Sequence, residues 1–202
     1  MMHGGWRSEP AGSVRHVRQL ARGILVAGTI LLVCAPSPAR ADGFVVPWVG
    51  SAFGQDPDNT GRLGAGAALG TMGGGGLFGF DIDFGYTPSF FGSESAVGEN
   101  SVTTLMADLI AGPSLESSGG KGVRPYATFG VGLIHPKVGS GSDNNFGWNA
   151  AGGLMGFFGS RAGMRFDVCY FHAVDNTSVA NTIQLKPGAL HFWRVSAGVI
   201  MR

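Results

Sequence analysis

The chain is poor in charge. Asp, Glu, Lys and Arg make up 13% of its 202 residues, about half the share of an ordinary soluble domain. Cysteine is nearly absent: Cys34 and Cys169 are the only two, and Cys34 falls in an N-terminal targeting segment. That leaves Cys169 alone in the remainder, which excludes an intrachain disulfide and any CxxC metal or redox motif. Beyond residue 41 no stretch carries an apolar stripe with the 3.6-residue period of a helix. No basic cluster survives there either, since nine Lys/Arg stand against twelve Asp/Glu, a net charge of −3. Nucleic acid is therefore excluded as a partner. Disorder is excluded by a hydrophobic content of 44%, and collagen by glycines without a three-residue period.

What is present begins with that targeting segment. Arg15, Arg18 and Arg22 precede the twelve-residue apolar run Ile24–Ala35, and Ala39-Arg40-Ala41 supplies a small-x-small cleavage site. Twelve residues make a helix of about 18 Å, too short for a hydrocarbon core of about 30 Å. Residues 1–41 are expected to be a cleaved export signal of the Sec type, and 42–202 the mature domain.

Glycine is abundant, at 36 residues, and it sits in alternating segments. In Phe78–Tyr86, Phe78, Phe80, Ile82, Phe84 and Tyr86 oppose Gly79, Asp81, Asp83 and Gly85. Successive strand side chains face opposite sides, so this strand has one apolar face and one face of glycine and carboxylate. Elsewhere Phe129, Phe166, Trp193 and Val195 fall on apolar faces, whereas Asp108, Asn149, Arg165, Asp167 and Arg194 fall on the opposite ones.

A soluble sandwich turns its large apolar face inward and fills its wet face with Lys, Glu and Thr. Here the second face is mostly glycine with a few charges of both signs, which suits a narrow, crowded lumen. The expected fold is all-β: a closed antiparallel up-and-down transmembrane barrel of about eight strands, near 43–54, 62–73, 76–88, 101–114, 123–135, 147–159, 162–173 and 191–202. Each is long enough to cross the hydrocarbon at a tilt. Tight turns at Gly73–Gly76 and Ser160-Arg161 alternate with long polar connections at Pro88–Asn100, Pro136–Phe146 and Val174–Leu190. Short turns on one rim and long loops on the other are the outer-membrane arrangement. Phe90, Phe91, Phe146, Trp148, Tyr170, Phe192 and Trp193 are expected to form an aromatic girdle at the long-loop rim, with Phe44, Tyr126, Phe157 and Phe158 at the other.

Several segments resemble the outer-membrane β-barrel superfamily that includes OmpA-type and other small porin-like barrels. Val123-Arg124-Pro125-Tyr126 running into Gly130-Val131-Gly132-Leu133 is similar to a fifth strand common there. Phe146-Gly147-Trp148-Asn149, Gly163–Phe171 and Phe192-Trp193-Arg194 resemble later strands of the same group. The resemblance implies the fold, a cell outer-membrane location, the barrel assembly machinery and outer-membrane lipids or lipopolysaccharide as partners, and no cofactor. The chain departs from the pattern at its end, where Val199-Ile200-Met201-Arg202 lacks a terminal aromatic.

Three function classes follow. The leading one is a monomeric, non-enzymatic outer-membrane protein with a structural or surface-interaction role. Its seven polar residues Asp81, Asp83, Asp108, Asn149, Arg165, Asp167 and Arg194 form a lumen network that plugs the barrel, and Phe78, Phe80, Ile82, Phe84, Phe129, Phe166, Trp193 and Val195 face lipid. The alternative is a narrow porin-like channel. A lipid A-modifying enzyme is disfavoured: where deacylase barrels carry His-x-Ser, this chain reads His172-Ala173-Val174, without the hydroxyl nucleophile. His135, His172 and His191 are scattered near strand ends and define no metal site.

Overall fold

The computed structural model describes residues 42–54, 61–73, 77–93, 98–113, 115–117, 121–176 and 189–202. The expected signal, residues 1–41, lies outside them, as do most of the first connection and residues 177–188 of the last. The described elements are β1 (Asp42–Phe53), β2 (Arg62–Met72), β3 (Phe78–Pro88), β4 (Asn100–Ala111), β5 (Leu115–Ser117), β6 (Lys121–Val138), β7 (Gly141–Ser142), β8 (Asn145–Phe158), β9 (Ala162–Asn176) and β10 (Ala189–Met201).

Eight of these are long, and they close into one antiparallel barrel. The order is β4-β3-β2-β1-β10-β9-β8-β6, with β4 pairing back onto β6. First and last strands meet from Val45↔Met201 to Phe53↔Trp193, so no edge of the eight-stranded wall is left open. The short β5 and β7 extend the two ends of β6.

Three connections differ from the sequence expectation. β6 continues through Pro136 to Val138 because β4 pairs with it as far as Asn100↔Val138. The loop expected over Pro136–Phe146 therefore shrinks to a tight β6–β7 hairpin and its exit. At the opposite end β5 folds back on Lys121–Val123, which turns the expected loop Leu115–Gly122 into a hairpin. β9 and β10 run on past residue 173 and before residue 191, with a register shift between Ala189 and His191.

Alternation along every long strand sorts the side chains. Inward residues are stacked in three layers. Nearest the short turns lie Phe44, Val46, Ala68, Met72, Ile110, Tyr126, Met155, Phe157 and Ile200. Asp81, Asp83, Asp108, Arg165, Asp167 and Arg194 occupy the middle, while Arg124 is buried at the level of the short-turn layer, paired in register with Met155. Nearest the long loops lie Phe90, Phe91, Val102, Met106, Ile134, Phe171, Phe192 and their neighbours. An eight-stranded barrel is just wide enough for side chains to fill it. Glycine makes that filling possible: a Cβ on Gly66 would strike the Trp48 ring, and one on Gly85 would lie 2.9 Å from Nη1 of Arg194.

Candidate functional site

The middle layer is built by register. Asp81 on β3 faces Asp108 on β4, Asp108 faces Gly130 on β6, and Gly130 faces Asn149 on β8. Four neighbouring strands thus place two carboxylates and a carboxamide in one row, with Gly130 leaving room above its backbone. Arg165 and Asp167 come from β9, Arg194 and Ser196 from β10, and Asp83 from β3, two residues after Asp81. Asp81, Asp83, Asp108, Asn149, Arg165, Asp167 and Arg194 all point inward and are buried, with Asp81 1% exposed and Arg194 6%.

Two sets of contacts join them. In the first, Arg165 Nη1 donates to Asp81 Oδ2 at 2.6 Å. Its Nε donates to Tyr126 Oη at 2.7 Å and to Asp167 Oδ2 at 3.2 Å. The Tyr126 hydroxyl passes a hydrogen bond to Asp167 Oδ2 at 3.1 Å, and Ser196 Oγ donates to Asp167 Oδ1 at 2.9 Å. In the second set, Arg194 Nη1 donates to Asp83 Oδ1 at 2.9 Å and Trp48 Nε1 to Asp83 Oδ2 at 3.0 Å. The Arg194 guanidinium also lies 4.1 Å from the Trp48 ring centroid and 4.9 Å from that of Phe171. Charge-assisted bonds of this kind offset the several kcal/mol that each ion loses on leaving water.

Asp108 and Asn149 take part in neither ion-pair set. Asp81 Oδ1, Asp108 Oδ1 and Asn149 Oδ1 have no hydrogen-bond donor in the protein. Four carboxylates therefore share two guanidinium groups in this layer, and Asp108 stands directly beside Asp81 on the neighbouring strand. Trp48, Tyr126 and Ser196 complete the network without having been singled out from sequence. Tyr126 has the inward parity of Thr128 and Gly130, and that parity is the signal that finds it.

The outward set is exposed on the outside of the barrel. Phe78 and Phe80 are 59% exposed, and Ile82, Phe84, Phe129, Phe166, Trp193 and Val195 are exposed as well. The expected girdle needs correction. Phe44, Phe90, Phe91, Tyr126, Phe157 and Phe192 are buried inside the barrel, not at its rims. Phe157-Phe158 and Phe192-Trp193 are adjacent in strands, so only one of each pair can face out. The rings that do form a belt are Phe129, Trp148, Tyr170 and Trp193, with successive centroids 6.0, 5.6 and 5.0 Å apart, joined by His172 and His191.

Little of this supports bond-making chemistry. His172 leans on Trp148 and Tyr170, and the following positions are an inward Ala173 and an outward Val174. His135 Nδ1 is 2.8 Å from Asn144 Oδ1. Among the described residues no group of three or more His, Cys, Asp or Glu side chains is placed to hold a metal ion. The arrangement joins opposite walls through Arg165–Asp81 and Arg194–Asp83 ion pairs.

No protein-family model matches the chain, and no curated protein matches it by sequence. Solved structures do. Neisserial surface protein A is 12% identical, with a TM-score of 0.61 over 80% of this chain and 97% of that one. The N-terminal β-barrel domain of Pseudomonas aeruginosa OprF is 15% identical, with a TM-score of 0.49 over 80% of this chain and 98% of that one. The Yersinia pestis attachment invasion locus protein Ail, in complex with the heparin analogue sucrose octasulfate, is 16% identical, with a TM-score of 0.40 over 79% and 99%. With eight antiparallel strands closed on themselves, a filled interior and an apolar exterior, this chain has the fold of small eight-stranded outer-membrane barrels such as Neisserial surface protein A.

Proposed function

We propose that the mature chain is an integral outer-membrane protein with a structural or surface-interaction role, and that its interior is closed to ions and solutes. One observation carries the reading: charges are buried and large apolar side chains exposed, the reverse of a soluble domain. Asp81 and Asp83 are inside β3 while Phe80, Ile82 and Phe84 cover its outside. Monomeric soluble proteins rarely expose apolar patches above a few hundred Å², and here the apolar band runs around every long strand. In hydrocarbon that band is satisfied, and the closed ladder pairs each long strand with a neighbour on both sides.

Closure rests on the three layers. The Arg165 and Arg194 ion pairs tie the walls together across the middle, and a mainly apolar layer lies on either side of them, the short-turn one also holding Arg124. An ion would have to pass both apolar layers unhydrated, at a cost of several kcal/mol. The protein thus acts through its wall and its long-loop end. It is a monomer, exported by residues 1–41, inserted by the barrel assembly machinery and surrounded by outer-membrane lipids or lipopolysaccharide. It has no enzymatic activity and no nucleic-acid partner.

The test is single-channel recording on the refolded mature protein in planar bilayers, together with fractionation of expressing cells. The expected result is recovery in the outer membrane as a heat-modifiable band, with no conductance steps. Steady steps would favour the porin-like channel instead. A lipid A profile that changes on expression would favour a lipid-modifying enzyme.

A further inference from the structure

The long-loop mouth of the barrel is stopped by two rings that belong to no strand. β3 ends at Pro88, and Ser89, Phe90, Phe91 and Gly92 then turn across the opening. Phe90 and Phe91 are both buried there, 2% and 6% exposed. They meet edge to face at 5.0 Å, and Phe90 meets Phe192 at 5.0 Å. Phe192 in turn lies stacked on Phe171 at 4.7 Å. Two phenylalanines in succession cannot both face inward from a strand. A reversal of the backbone allows it: Ser89 has φ 50° and Gly92 φ 139°. Ser89 is held in a left-handed conformation that non-glycine residues seldom adopt.

The Asn100 side chain fastens the turn. Asn100 Oδ1 accepts from the Phe91 amide at 2.8 Å, while its Nδ2 donates to the carbonyls of Gly92 at 3.1 Å and Gly98 at 2.9 Å. The Ser89 amide donates to the Asn100 carbonyl at 2.8 Å, and the Gly92 amide to the Ser89 carbonyl at 3.3 Å. Beyond the Ser89–Asn100 bond, Phe90 to Gly92 make no further strand pairing among the described residues, unlike the wall around them. An apolar pair seated in a mouth, a strained pivot and a polar catch are the parts of a closure that opens locally, without unfolding the barrel.

We propose that Ser89–Gly92 is a latch, with Asn100 as its catch, that keeps Phe90 and Phe91 in the mouth as a displaceable stopper. Released, it opens a blind apolar pocket floored by the stacked Phe171–Phe192 pair, above the Arg194–Asp83 layer. The inference builds on the closed-interior reading but has its own test, because the pocket ends above the polar layer and its opening creates no conductance.

Thiol labelling reads the latch directly. Ala173 is fully buried in the same mouth cluster, and Cys169 lies four residues deeper on the same inward face of β9. A reporter protein carries Ala173→Cys with Cys169→Ala, refolded into vesicles and treated with N-ethylmaleimide. In this background Asn100→Ala, and separately the pair Phe90→Ser with Phe91→Ser, should speed labelling by about ten-fold or more, because local opening sets access to a buried group. Lys137→Ala at the same rim should leave the rate unchanged. In the chain that keeps native Cys169 and Ala173, Asn100→Ala should leave Cys169 protected, which separates latch release from unfolding. All variants should keep the heat-modifiable band. If the double variant loses it, Asn100→Ala alone decides. Equal labelling rates with and without Asn100→Ala overturn the latch, and so does labelling of Cys169 as fast as that of the Ala173→Cys reporter. Either result leaves the conductance measurement, and the closed-interior reading, untouched.

Discussion

Arg165 on β9 and Asp81 on β3 meet at 2.6 Å although their strands lie four apart in either direction around the ring. The contact is a full diameter of the barrel, made by residues 84 positions apart in the chain. Beside it, Arg194 on β10 reaches Asp83 on β3 across three strand steps. One strand therefore receives both arginines through two carboxylates of the same parity. The two pairs join opposite walls of the closed barrel, and four expected outcomes test what they and their surroundings contribute.

Arg194→Ala should destabilise the barrel by about 3–5 kcal/mol, since it strands the Asp83 carboxylate in a buried site with only Trp48 as donor. Lys137→Ala breaks the Lys137–Glu99 pair, whose side chains are 41% and 75% exposed, and should cost less than about 1 kcal/mol. Urea unfolding midpoints in vesicles compare the two. Coincident midpoints would show that Arg194 is not a buried tie.

Asp108→Asn should stabilise the protein by about 1 kcal/mol, the scale of relief expected when a like charge directly opposite is removed. Asp108 faces Asp81 across neighbouring strands, and Asp81 already holds Arg165 through its other oxygen. An amide at 108 offers a donor to Asp81 Oδ1, which has none. Asp81→Asn should act in the opposite direction, because it removes the anion that Arg165 bridges. A loss of stability in Asp108→Asn equal to that in Asp81→Asn would contradict this assignment.

Ile82→Arg should reduce insertion, at a cost of about 2–4 kcal/mol for an arginine near the bilayer midplane. Ile82 is 52% exposed and flanked by the two inward aspartates of mid-strand β3. Ile82→Leu should insert normally. The measurement is the folded fraction after refolding into vesicles, read on unheated gels; equal yields for the two variants would place this face away from lipid.

Gly153→Ala should cost about 1–3 kcal/mol by overpacking. A methyl there would strike the Phe166 carbonyl and lie 2.7 Å from Tyr126 Oη, whose hydrogen bonds it would disturb. Gly156→Ala on the same strand has nothing within 4 Å of the added carbon and should change stability by less than about 0.5 kcal/mol. The comparison is again of urea midpoints, and a larger effect at 156 would invert the facing of β8.

Alternation is a local property, so it is legible in the sequence. Phe78–Tyr86 shows which side chains face out and which carboxylates face in, and the glycine-rich breaks mark where the strands end. The seven polar residues of the middle layer can be placed inside on that basis alone, since a strand that turns one such residue inward must turn its neighbour outward. β1 marks the boundary of this reasoning. In Phe44-Val45-Val46-Pro47-Trp48-Val49 nearly every side chain is apolar, so no pattern distinguishes Trp48, which binds Asp83, from Val49, which is 65% exposed. Runs of adjacent aromatics fail for the same reason, and Phe90-Phe91 leaves the strand rule altogether once the backbone reverses at Ser89. Which arginine meets which aspartate is decided only when the ring closes. The partners lie on opposite walls, brought level by the stagger of eight strands, and no spacing along the chain encodes that distance. The sequence by itself thus determines the wall and its two faces, while the crosslink through the centre and the stopper in the mouth exist only in the closed barrel.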